Sequence, residues 1–281
     1  MQHSQRFNVK EFRDVRRGRI NGIAEHRQHL ILRSNLEKVL FTKTQAIIRK
    51  LANTQTFLYR QFGIFEPMAA ARLMTEELFP LVSSHYKRVF LSVFSLNNRH
   101  YDSERKQEAL IFGQSVDIER LVAEFFATRQ LLLSNISLRL ARDIDGVIQR
   151  GRADGLTLTQ IAKNIKDKFV VIGTSRAALI ARTETHNSAS YANHIYHGAI
   201  QADLSIKMMK TWVSTSDART RPEHSAANKQ TVEMDEPFIL GHPKLGSVEM
   251  QYVSDPAGGV YHAVNCRCVV VYADERDVVT A

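Results

Sequence analysis

Apolar residues between positions 34 and 150 recur at three- and four-residue steps, the spacing that gathers them on one face of an α-helix. Ser34 and Glu37 form a capping-box pattern, and Leu36, Val39, Leu40, Ile47 and Leu51 continue it, predicting a long helix that ends near Tyr59 to Phe62 and is closed by Gly63. A second helix is expected from Pro67, with a kink or break at Pro80, a resumption over Tyr86 to Leu96, and an end at Asn97-Asn98. The clearest stripe runs from Ile118 through Leu121, Phe125, Leu133, Leu140 and Ile144 to Val147. Composition shifts at Gly151 to Gly155, where a domain boundary is expected, dividing residues 1–152 from 153–281. Thr157 and Gln160 form a second capping box ahead of a short amphipathic helix ending near Phe169. An alanine-rich helix should follow Gly173-Thr174 and stop at Gly198.

Beyond residue 205 the periodicity is lost. Met208 to Ser214 and Cys268 to Tyr272 are rich in strand formers, and between them lie the turn signals Arg221-Pro222, Glu236-Pro237, Gly241-His242-Pro243, Asp255-Pro256 and Gly258-Gly259. The expected class is α+β: an elongated helical N-terminal region, then a small loop-rich α+β domain.

Charge sharpens this division. Residues 1–110 hold 19 Lys+Arg against 10 Asp+Glu, which accounts for the whole net charge of +9. Arg13, Arg16, Arg17 and Arg19, in the densest basic stretch, are candidate DNA-contact residues, although the same charges suit an acidic protein surface or plain solvation. No apolar run reaches the length of a membrane span, and no apolar stretch follows the basic start, so neither a membrane location nor a secretory signal is expected. Two cysteines, Cys266 and Cys268, are too few for a disulfide framework, and reduced thiols in a cytoplasmic protein are the expectation.

Four motifs follow one another in the second half: ARTETH at 181–186, Trp212 in KTWVS, DARTRPEH at 217–224, and YHAVNCRC at 261–268. In this order, with a helix before them and strands between, they resemble the Mu F-like phage head morphogenesis family over roughly residues 155–273. The resemblance implies a minor head protein of a tailed phage or prophage. Such a protein resides in the virion near the portal, after assembly in the host cytoplasm, and serves head assembly and DNA packaging or delivery. Portal protein, scaffold, major capsid protein and packaged double-stranded DNA are the implied partners; no catalytic activity and no required cofactor come with it.

The motif residues suggest their own chemistry. Arg219 and Arg221 alternate, so on an extended segment both would leave one face, with Asp217 and Glu184 as carboxylate partners in a lattice pinning loops to the helix at 175–197. The alternative is an anion site made by Arg182, Arg219 and Arg221. His224, His262, Cys266 and Cys268 offer the ligand set of a structural zinc site, while two inward thiols on a buried strand need no metal. Asn265 is expected to fix a turn. His186, His194 and His197 read as helix-face histidines without a metal role. A second functional class, a metal-dependent nuclease built from His224, His262, Asp217 and the cysteines, remains open alongside the structural one.

Overall fold

The computed structural model describes residues 22–104, 116–215 and 217–275. Four long helices come first: α1 (Gly22–Phe62), α2 (Pro67–Glu104), α3 (Ile118–Ala153) and α4 (Leu158–Leu204). They are followed by β1 (Met208–Val213), α5 (Pro222–Ala226), β2 (Thr231–Glu233), β3 (Phe238–His242), β4 (Gly246–Met250), a 3-10 turn at Pro256–Gly258, α6 (Gly259–Ala263) and β5 (Val269–Asp274). The class is α+β, as the periodicity predicts. None of the described helices is long and apolar enough to cross a membrane. Arg13, Arg16, Arg17 and Arg19 lie outside the described residues.

The chain divides into two compact units, one drawn from residues 36–88 and 119–184, the other from the described parts of 1–35, 89–118 and 185–281. The predicted linear boundary at 151–155 is the turn between α3 and α4 and falls within the first unit. That turn is built as the sequence suggests: the Gln160 amide N–H donates to the Thr157 hydroxyl at 3.3 Å, and the Thr157 N–H donates to the Gln160 side-chain oxygen at 2.8 Å.

The helical unit closes over Leu40, Ile48, Tyr59, Leu78, Val82, Tyr86, Phe125, Leu133, Leu140 and Ile165, all buried. An ion pair sits inside this apolar core. Arg129 donates from Nε and Nη2 to the two oxygens of Glu184 at 3.1 and 2.9 Å, and the Tyr86 hydroxyl donates to the same carboxylate. Burial, then the nearby Glu184 charge, holds the Tyr86 phenol well above its ordinary pKa, so it stays a donor.

Several punctuation signals are overridden by packing. Ser34 and Glu37 do not open a helix but lie inside α1, which begins at Gly22. The helix α2 runs unbroken through Pro80, between the fully buried Leu78 and Val82. It also continues past Asn97 and Asn98 to Glu104, because these asparagines link α2 to α4: Asn97 Nδ2 donates to Asn193 Oδ1 at 2.8 Å, and the Tyr196 hydroxyl donates to Asn98 Oδ1 at 2.8 Å. The two helices expected over 158–198 are one helix of 47 residues that passes both Gly173 and Gly198. A Cβ at Gly173 would stand 2.9 Å from Ile48 Cγ2, so that glycine permits close approach of α1 instead of ending a helix.

In the second unit β1 is the central strand of an antiparallel sheet ordered β2-β1-β5, with Trp212 opposite Val270. β3 and β4 form a separate hairpin, closed by a turn that enters β4 at Gly246 with φ of +75°. Trp212, Phe238, Leu240, Met250, Val253 and both cysteines make one core. Candidate chemistry therefore sits in the middle of the unit's packing.

Candidate functional site

Local sequence places each group. Pro222 begins α5 where its missing N–H is harmless, and two residues later His224 is buried. α6 carries the buried His262. Asn265 takes a left-handed backbone conformation, φ of +56°, which asparagine tolerates better than most residues, and the chain then enters β5 with Cys266 and Cys268 both buried. Arg267 between them turns the other way and grips Asp217 with both terminal guanidinium nitrogens, at 2.7 Å for Nη2 to Oδ1.

His224, Cys266 and Cys268 converge, with one ligand atom from each lying within 4.8 Å of the others. His224 Nδ1 stands 3.5 Å from Cys266 Sγ and 3.4 Å from Cys268 Sγ. Its other nitrogen, Nε2, is 2.8 Å from His262 Nδ1, and the two rings stack at 5.1 Å. The structure thus brings three of the four candidate metal residues together and sets His262 behind His224. His262 is depressed to about 4 by burial and by the neighbouring His224, His242 and Arg221, so it is a neutral partner for His224.

The sulfurs are surrounded by donors. The Thr215 backbone N–H donates to Cys268, and the nearby Trp212 indole N–H also favours the thiolate form of that sulfur. His186, from α4, reaches Cys266. Burial alone would raise the Cys266 thiol, but the interactions with Cys268, His186 and His224 outweigh it and hold Cys266 well below the ordinary thiol range. Cys268 is pushed up by its bond to Cys266 and by burial, so Cys266 ionises first.

His186 is the residue that sequence reasoning missed. Three histidines on an alanine-rich helix give no spacing signal that singles one out, and only the fold shows His186 meeting the thiols while His194 stacks on Tyr252 and His197 on Tyr272. Lys210 was equally silent: wholly buried on β1, it donates to Gln251 at 2.9 and 2.7 Å, and burial lowers it to about 8.

The arginine lattice is assembled differently from its prediction. Glu184 pairs with Arg129, and Asp217 is clasped by Arg267, with Arg219 only 3.7 Å away on an exposed side chain. Arg219 and Arg221 do not share an extended face, because Asp217 to Thr220 is a turn. Arg221 instead donates to the Val264 carbonyl at 2.7 Å and lies over the Tyr261 ring, while Arg182 pairs with Glu37 at 3.5 Å. Each of the three guanidinium groups proposed for an anion site thus has its own partner.

Fold and site together define a helix-led α+β domain with a buried imidazole–dithiol centre. Residues 142–271 match the family described as Phage Mu protein F like protein, so the resemblance carried by the four motifs holds for that part of the chain. Among curated proteins, the chain is similar to the minor head protein GP7 of Bacillus phage SPP1, 25% identical over 213 residues, covering 70% of this chain and 66% of the relative. It is also similar to the NAD(+)–arginine ADP-ribosyltransferase EFV of Enterococcus faecalis (strain ATCC 700802 / V583), 29% identical over 133 residues, covering 47% of this chain and 26% of that protein. The chain thus spans just under two thirds of the first relative and about a quarter of the second. No solved structure gives a significant match.

Proposed function

We propose that this chain is a minor structural protein of a tailed-phage or prophage head, acting in head assembly and in DNA packaging or delivery beside the portal. The observation that carries this reading is the likeness to a phage minor head protein across 70% of the chain, together with the Mu F-like match over 142–271. The geometry supports it. Conspicuous motif groups are engaged within the protein: Asp217 with Arg267, Arg221 with Val264, and Glu223 with the Tyr261 hydroxyl at 2.9 Å. Groups spent in this way fix the shape of a docking piece. Its partners are the portal protein, with scaffold, major capsid protein and packaged DNA as further contacts, and its place is the virion head after synthesis in the host cytoplasm.

The nuclease reading loses support because the Asp217 carboxylate is held on both oxygens by Arg267 and the His224 cluster is buried. The activity in the name of the enterococcal relative belongs to a protein of which 26% is matched. Induction of a phage encoding this chain, followed by gradient separation of heads, tests the proposal. The protein should sediment with procapsids or virions, and its deletion should lower the yield of normal heads. A chain found only in the free soluble fraction, with head yield unchanged on deletion, would refute it.

A further inference from the structure

Two thiols flank a single imidazole nitrogen, at 3.5 and 3.4 Å from His224 Nδ1. A neutral ring nitrogen has one lone pair and can accept from one thiol only, so Nδ1 cannot bond both sulfurs as an acceptor. A tetrahedral zinc ion with Zn–S of about 2.3 Å and Zn–N of about 2.0–2.1 Å sets its nitrogen and sulfur ligands ~3.5 Å apart. The observed separations match that spacing. Their surroundings agree as well. N–H groups directed at sulfur interact weakly with a thiol and strongly with a thiolate, and here the Thr215 amide and the Trp212 indole meet Cys268 while His186 meets Cys266.

We propose that His224 through Nδ1, Cys266 and Cys268 bind a zinc ion that pins the start of β5 to α5, with His262 as the outer partner that orients His224. His262 performs this role because its Nδ1 can accept the Nε2–H of His224 at 2.8 Å, leaving the Nδ1 lone pair of His224 directed at the metal. His186 has a different part. Its Nδ1 receives the Arg33 guanidinium, which has only donors to give, so the neutral ring carries its proton on Nε2 and meets Cys266 as an N–H group instead of a ligand. Binding expels the thiol protons to solvent, and the ion's charge compensates two thiolates within the core.

The full chain, purified from zinc-supplemented cells, should hold near one zinc per molecule by elemental analysis. Exchange with cobalt should produce a thiolate-to-cobalt charge-transfer band in the near ultraviolet and tetrahedral bands in the visible. Cys266→Ser, Cys268→Ser and His224→Ala should each abolish the signal. His262→Ala and His186→Ala should keep it, with affinity weakened about 10- to 100-fold. Wild-type protein that binds neither metal, or binds cobalt without the thiolate band, overturns the site irrespective of how the variants fold. Loss of the tetrahedral bands in folded His186→Ala protein would overturn the assignment of His186 as a donor and make it a ligand. None of these outcomes depends on whether the chain enters a phage head.

Discussion

Replacing Arg129 with methionine removes the cation from a carboxylate that has no route to water. The Arg129 side chain is 4% exposed and that of Glu184 is 1% exposed, and two charge-assisted hydrogen bonds at 3.1 and 2.9 Å join them. Each such bond contributes roughly 1.5–3 kcal/mol, and breaking a buried pair by deleting one partner costs about 3–5 kcal/mol, since the remaining charge must stay buried or take up a proton. The Tyr86 hydroxyl, a neutral donor, would stay on Glu184. With a urea m-value of about 2–3 kcal/mol/M, the unfolding midpoint of the variant should fall by ~1–2 M. Replacing the whole network, Arg129→Met with Glu184→Leu and Tyr86→Phe, should recover most of this loss, because apolar groups of similar volume need no partner. Urea titration followed by circular dichroism measures both. A single variant within about 1 kcal/mol of wild type, or a triple variant less stable than the single, would refute the view that an uncompensated charge sets the cost.

Other perturbations test separate parts of the fold. His85 is 4% exposed and depressed to about 4 by burial and by Arg88 and Lys43, so the unfolded chain binds its proton first. Stability should therefore fall as pH drops from 6.5 towards 4, with His85 contributing up to about 3 kcal/mol at 1.4 kcal/mol per pKa unit, and His85→Gln should reduce the slope of the urea-midpoint profile by that share while other depressed histidines such as His262 keep the rest. At Gly151 an added methyl would stand 2.6 Å from Ile161 Cγ1. Gly151→Ala should destabilise by about 1–3 kcal/mol despite its better helix propensity, and Ile161→Ala in the same chain should relieve the clash, as read by thermal melts of the single and double variants.

Where the sequence was legible, a local rule and the packing agreed. Thr157 and Gln160 cap α4 reciprocally, Gly63 closes α1 with φ of +65°, and the long stripe from Ile118 became α3. Where it was not, packing outweighed a local signal worth about 1 kcal/mol. Gly173 serves helix approach, and Asn97 is a buried link to Asn193. The β3–β4 hairpin escaped notice because Gly241-His242-Pro243 reads as a loop, whereas Gly241 and His242 belong to the strand and the turn lies beyond them. In the candidate site, ligand chemistry pointed to His224, His262, Cys266 and Cys268, of which the structure gathers all but His262. Distinguishing the parts of His262 and His186 needed the third dimension: His262, three intervening residues from Cys266, has local chelating spacing yet stands behind His224, whereas His186 lies far away in sequence and reaches Cys266 only through the fold.

The only sulfhydryls in the chain lie two residues apart, and both are shielded, at 3% and 2% exposure. Their alkylation under native conditions thus clocks a single event, the transient opening of the segment leading into β5. A membrane-impermeant maleimide added at intervals would report how often that corner breathes, and whether docking on a neighbouring molecule slows it.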